Sequence, residues 1–310
     1  MSIPVHAFET ALTRQAEVRV EVMRLDKVHA QISGNKWFKL KPAVEQAARA
    51  GLPLLSFGGA WSNHIHALAF AGFKLGIPTI GVIRGESAYA DNPTLSDARK
   101  WGMELHFVDR TTYRRRKDPD FQQQLEARFG PVVLVPEGGS QVSAVHSVAS
   151  LWQHPHLKSS RYDQVVLPVG TGGTMAGVIA GASRGVHVLG VSVLKQDGWL
   201  ETDIEMLLAE AGVQPVCRWS LMQEGHGGGY ARLPGELAAG LKRVESACGL
   251  ELDPVYTVKA LMALQRSIVQ RRIKPHSRIL VLHTGGLQGK RGFKDQLGPG
   301  APEFVGPLAL

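Results

Sequence analysis

The sequence predicts an α/β protein whose parallel-rich sheets are covered by helices on both faces. Apolar runs of strand length recur along the chain, separated by stretches of helical length. Two of these runs, 52–57 and 164–169, pass through glycine turns directly into apolar helical segments. The chain has 310 residues, long enough for two ordinary domains, and its 44% hydrophobic content can fill a substantial core.

Taken in order, Leu52-Pro53-Leu54-Leu55-Ser56-Phe57 reads as a strand, and the turn after it opens a helix over 64–75. A strand follows at 78–83, another at 103–108, a helix at 120–129 and a strand at 132–135. The uncharged run Gln164-Val165-Val166-Leu167-Pro168-Val169 is a buried strand, and 175–180 belongs to the helix after it. The remaining elements are a strand at 186–194, helices at 200–211, 234–248 and 258–270, and a strand at 278–282. No repeat or low-complexity tract interrupts them, and the tail Gly298-Pro299-Gly300-Ala301-Pro302 reads as loose.

Composition excludes several classes. The uncharged stretch 164–183 contains five glycines, a proline and three hydroxyl residues, so a strand, loop and helix explain it better than a membrane span. The N-terminus lacks a charged segment followed by an apolar one, and two cysteines, Cys217 and Cys248, are too few for a disulfide scaffold; both point to a cytoplasmic protein with reduced thiols. The net charge is +8, but the one concentrated basic run, Arg114-Arg115-Arg116-Lys117, is flanked by Asp109, Asp118 and Asp120 and reads as a solvated loop or helix start rather than a nucleic-acid contact. An anionic small substrate also suits a basic protein.

The loop Val169-Gly170-Thr171-Gly172-Gly173-Thr174 stands at a helix N-terminus, where free N–H groups and the macrodipole favour an anion. Glycines at 172 and 173 let the backbone approach closely, and the hydroxyls of Thr171 and Thr174 can donate to phosphate oxygens. A Walker A loop needs a lysine that is missing here, and a dinucleotide fingerprint would place its third glycine on Met175, so a phosphate monoester is the better ligand. Far upstream, Lys36 lies in Ser33-Gly34-Asn35-Lys36-Trp37-Phe38-Lys39. A lysine that can form an imine, together with a phosphate cradle, points to pyridoxal phosphate.

A second cluster, Gly58-Gly59-Ala60-Trp61-Ser62-Asn63-His64-Ile65-His66, also joins a strand to a helix. Ser62 is an N-cap candidate whose following N–H groups can take a carboxylate, and Asn63 can bond a phenolate or carboxylate. His64 and His66, two residues apart, point to different sides of a helix and make a poor metal pair. Ser62 lacks a nucleophile elbow, which argues against a hydrolase triad.

These residues resemble the pyridoxal-phosphate enzymes of the tryptophan-synthase-β fold, in the branch of 1-aminocyclopropane-1-carboxylate deaminase and D-cysteine desulfhydrase. The resemblance spans nearly the whole chain: Gly34 to Lys39, Ser62-Asn63-His64, Gly170 to Thr174, Gly229-Tyr230, Leu252-Asp253-Pro254-Val255-Tyr256-Thr257 and His283-Thr284-Gly285-Gly286, in the family's order. It implies two α/β domains, a larger one of 1–41 plus 147–310 and a smaller insertion of 42–146, with the cofactor between them, and a homodimer.

Carried over by position, the resemblance implies that Lys36 forms the internal aldimine and that Lys39 approaches the phosphate, its cation keeping Lys36 deprotonated. Gly170, Thr171, Gly172, Gly173 and Thr174 wrap the phosphate, Asn63 bonds the phenolic oxygen and Thr284 faces the ring nitrogen. Ser62 and the N–H groups after it hold the substrate carboxylate beside Trp61 and His64, while Tyr230 and Tyr256 steer protons. A hydroxyl at Thr284, where the deaminases carry Glu, supports a neutral ring and tilts the chemistry toward β-elimination. The implied substrate is a small amino acid, D-cysteine-like, giving a 2-oxo acid and ammonia. Alternatives are ring opening of aminocyclopropane carboxylate, a racemase or dehydratase of the same fold, and a cofactor-binding regulatory protein without turnover. Trp61 in place of a usual glutamine implies a narrower, more aromatic pocket, and the changes at Val258 and Leu287-Gln288 are expected near the substrate, sparing the cofactor residues.

Overall fold

The computed structural model describes residues 2–159, 161–195 and 198–298, so residues 299–302 of the expected loose tail lie outside it. Ten strands are found among the described residues: β1 (Val5–Ala7), β2 (Arg19–Arg24), β3 (Leu54–Gly59), β4 (Thr79–Arg84), β5 (Glu104–Val108), β6 (Val133–Val135), β7 (Gln164–Val169), β8 (His187–Ser192), β9 (Arg218–Met222) and β10 (Arg278–His283). They form a six-stranded sheet, β1-β2-β10-β7-β8-β9, and a four-stranded sheet, β5-β4-β3-β6. Every pairing is parallel except that of edge strand β1 with β2.

Period-two side-chain alternation decides where the cores lie. In β7, Val165, Leu167 and Val169 enter a core on one face of the larger sheet with Leu280 and Leu282 of β10. Val166 enters the opposite core with Ile279 and Val281. The smaller sheet divides likewise, Leu54 and Ile83 facing one cluster and Leu55, Phe57, Ile80 and Val82 the other. Burial on both faces is why these strands read as continuous apolar runs. The strand expected from residue 52 starts instead at Leu54, after Pro53, which has no N–H to give the ladder.

The passage between sheets is made by helices. The expected domain junctions, at 41–42 and 146–147, fall inside the helices Asn35–Ala50 and Val142–Ala149.

Parallel strands end together, and loops leaving their carboxyl ends converge. The loops after β3, β4, β6, β7 and β10 begin at Ala60, Gly85, Pro136, Gly170 and Thr284. The approach of the helix Asn35–Ala50 to the β10 loop depends on Gly34. Its φ is +71°, and a Cβ there would lie 1.8 Å from the Thr284 carbonyl oxygen, which accepts the Asn35 N–H at 3.1 Å.

His283 fixes that loop from beneath. Its Nδ1 accepts the Gly285 N–H at 3.2 Å, so Nε2 carries the proton and donates to the Glu251 carbonyl at 2.9 Å. Asp26, 3.6 Å from Nδ1, is held by Arg24 in a buried bidentate pair of 2.6 and 2.8 Å. Replacing Gly34 with Ala should cost at least about 3 kcal/mol of stability, from overpacking against backbone plus strain at positive φ; denaturant unfolding of the variant checks this.

Candidate active site

A cavity of about 800 Å³ opens at the convergent strand ends, lined among others by Lys36, Lys39, Ser62, His64, Thr171, Thr174, Tyr230, Tyr256 and Thr284. Loops from both sheets contribute to its wall.

Lys36 and Lys39 lie in the first turns of their helix, three residues apart and so on one side of it. Burial lowers the Lys36 amine to about 8. Lys39, 1% exposed, is lowered well below the usual lysine range, first by burial and then by the neighbouring Lys36. Burial is thus the first cause at both amines, and their closeness adds to it at Lys39.

Lys39 Nζ donates to Ser140 Oγ at 3.0 Å, and Ser140 Oγ lies 2.7 Å from Thr171 Oγ1. Asn35 Nδ2 donates to Thr174 Oγ1 at 2.6 Å, leaving that hydroxyl's proton free for another acceptor. The helix Gly173–Gly181 begins here, and its opening N–H groups have no acceptor within the helix. A Cβ on Gly173 would lie 2.6 Å from Ser140 Oγ and 2.9 Å from Lys39 Nζ, so only glycine keeps the cradle open. Hydroxyls, N–H groups and a lysine around a glycine turn fit a phosphate, and the lowered amine of Lys36 fits an aldehyde.

Ser62 caps the helix Asn63–Leu75, accepting the Ile65 N–H at 3.3 Å, and lines the cavity. Asn63 turns away from the cavity lining: its Oδ1 accepts from Gln288 Nε2 at 2.5 Å beside Gly286. The Gln288 departure therefore touches a cofactor candidate, contrary to expectation. Trp61 corrects a second expectation. Its indole packs over Gly292, where a Cβ would lie 3.0 Å from Cζ3, and does not narrow this cavity. His64 Nε2 meets Ser56 Oγ at 2.8 Å, and burial, with Lys36 and Lys39 nearby, holds the ring well below its ordinary pKa and neutral. His66 faces Asp97 at 3.4 Å, on another side of the helix.

Tyr230 and Tyr256 meet edge to face, their centroids 6.3 Å apart. Asp253 places Tyr256 by accepting three N–H bonds, from Val255, Tyr256 and Thr257, at 3.0, 2.5 and 2.8 Å. Burial raises both phenols, that of Tyr256 well above the usual range. Tyr230 is 36% exposed as a whole residue, yet its hydroxyl is desolvated against Tyr256.

Several residues of the site were not foreseen. Buried Lys259 donates to the carbonyls of Gly229 at 2.7 Å and Val193 at 3.4 Å, pinning the segment that carries Tyr230. From the basic run expected to be solvated, Arg116 turns inward, its Nε donating to Glu137 at 2.6 Å. Tyr113 donates to the same carboxylate at 2.8 Å. Arg84, at the end of β4, lies 5.5 Å from the Tyr113 ring and lines the cavity with Arg116 and Glu137.

The fold and site define an enzyme built around a lysine-bound phosphorylated aldehyde. Residues 10–285 match the family described as pyridoxal-phosphate dependent enzyme, and the chain belongs to it. A putative 1-aminocyclopropane-1-carboxylate deaminase of Pyrococcus horikoshii is 28% identical over 92% of this chain and 90% of its own length. A D-cysteine desulfhydrase of Salmonella choleraesuis is 27% identical, covering 86% of each chain. A solved structure of an ACC deaminase homologue superposes with a TM-score of 0.84 at 24% identity, covering 96% of this chain and 93% of the other. The cofactor is pyridoxal phosphate. Capture of its aldehyde needs a neutral amine, so the rate of cofactor uptake by cofactor-free protein should rise as pH passes through about 8 and level off above it. Stopped-flow absorbance at graded pH measures this; a rate still climbing near pH 10 would contradict the lowered amine.

Proposed function

We propose that the protein eliminates a β-substituent from a small, D-cysteine-like amino acid and releases a 2-oxo acid and ammonia. The observation that carries this reading is the lowered Lys36 amine facing one cavity with the Tyr230–Tyr256 pair. Desulfhydrases and deaminases among the relatives support it.

The turn Gly170 to Thr174, with Lys39 and Ser140, would hold the phosphate, Lys36 the aldehyde carbon and Thr284 the ring nitrogen. Asn63 would bond the phenolic oxygen on release from Gln288. When bound, the cofactor withdraws electron density from the substrate's Cα and acidifies its proton. Ser62 and the N–H groups after it bind the substrate carboxylate. Lys36 takes the Cα proton from close range, needing proximity more than basicity. The tyrosines, kept protonated by burial, donate toward the departing β-group. Thr284 offers a hydroxyl where an acid would protonate the ring, which suits elimination. Neutral His64 adds no competing charge.

In this reading 1–41 plus 147–310 act as the larger domain and 42–146 as the smaller, closing over the cavity to exclude water. It extends to a cytoplasmic homodimer; both thiols are free, as a reducing compartment allows. Ring opening of aminocyclopropane carboxylate is a second reading, favoured by relatives bearing that name, and comparing 2-oxobutanoate formation with sulfide release separates the two. Lys36→Ala should abolish the yellow cofactor band and cut pyruvate release from D-cysteine at least about a thousandfold. Retention of both would overturn the assignment.

A further inference from the structure

The cavity offers more than the proposed reaction uses. At about 800 Å³ it lies in the upper part of the ~300–1,000 Å³ range of small-molecule sites, leaving space beyond the cofactor and a short side chain. That space is bordered by charge that is not evenly balanced. Arg116 is matched by Glu137 at 2.6 Å, and Lys117 by Asp203 at 3.2 Å. Among the described residues, Arg84 and Lys195 on this lining have no carboxylate within ion-pair distance and Glu210 has no cation, which leaves one positive charge in excess.

The exposed guanidinium of Arg84 lies against an anchored ring. It lies 5.5 Å from the ring centroid of Tyr113, which Arg116 also approaches, at 5.1 Å; Tyr113 is 2% exposed, its ring set edge-on against Phe57 at 6.4 Å and its hydroxyl tied to Glu137. A rigid aromatic platform reduces the entropy lost when such a side chain binds an anion. Arg84 also faces the substrate end of the cavity. A Cβ on Gly59 would lie 3.5 Å from its Nη2, and Gly59 is three residues before Ser62.

We infer that the amino acid taken by this site carries a second anionic group beyond Cβ, and that Arg84 selects it by pairing with that group. This rests on the elimination reading and narrows its substrate class from small neutral amino acids to those whose departing substituent bears an oxyanion. An incoming carboxylate also turns the excess positive charge of the rim into a matched pair, which a neutral substituent cannot do.

Two nearly isosteric thioethers test this, S-carboxymethylcysteine and S-carbamoylmethylcysteine, each as both enantiomers. For the first, elimination removes the Cα proton and breaks the Cβ–S bond, the electron pair leaving with sulfur as mercaptoacetate. Water then converts the remaining enamine to pyruvate and ammonia. The holoenzyme should prefer the carboxylate over the amide by tenfold or more in kcat/KM, mainly through KM. Arg84→Met should bring that ratio close to one, and Arg84→Lys should leave an intermediate value. A wild-type ratio below about twofold, or one unchanged in Arg84→Met, would overturn the inference.

Failure of the elimination reading is distinguishable. If neither thioether nor D-cysteine yields pyruvate, titrating the cofactor spectrum with the two thioethers still compares their affinities. Equal affinities, or no response to either, would then overturn the role of Arg84. If Arg84→Met fails to fold, Arg84→Gln replaces it, and the wild-type ratio stands as a test by itself.

Discussion

Two lysine amines held out of water on one side of one helix set the conditions for the rest of the site. A buried ammonium without a carboxylate partner is costly, and the cheaper state is a neutral amine. Lys36 and Lys39 both move in that direction, for different reasons: Lys36 through desolvation alone, Lys39 through desolvation and then the charge of its neighbour. The surrounding loops keep the pair both dry and accessible. Gly34 lets the start of the helix rest on the Thr284 carbonyl, and Ser140 and Thr171 receive Lys39 at the glycine turn.

The same economy recurs around the cavity. Lys259, lowered to about 8 by burial, spends its N–H groups on backbone carbonyls. His283 likewise commits its two nitrogens to the Gly285 N–H and the Glu251 carbonyl. For a lysine whose folded-state pKa lies below its unfolded value, the burial penalty is fullest below about pH 8. It is relieved as pH rises toward the ordinary lysine range, so these groups disfavour the cofactor-free fold near neutrality. A phosphate held by Lys39 and a covalent bond at Lys36 would offset that penalty and so couple the integrity of this region to cofactor loading.

Much of this was legible in the sequence because parallel strands buried on both faces announce themselves as apolar runs, and glycine turns mark their ends. The strand, turn and helix through Gly170 to Thr174, and the Ser62 cap, follow from local chemistry. The strands β1, β2 and β9 escaped notice: β1 is three residues long, β9 lies at a sheet edge, and charged residues break up β2. Pro42 obscured the helix that carries Lys36. The site was readable where a motif is contiguous and opaque where partners are distant. Ser140 meets Lys39 across 101 positions, and Gln288 meets Asn63 across 225. Arg116 looked like one of several solvated cations because its partner, Glu137, belongs to another loop.

Lys36, and not the more deeply buried Lys39 or Lys259, is the lysine that would bond the cofactor. Borohydride reduction of the holoenzyme followed by peptide mass spectrometry tests this directly. The phosphopyridoxyl mass should fall on Lys36 at close to one per chain; a label on Lys39 or Lys259, or one spread over surface lysines, would contradict the account.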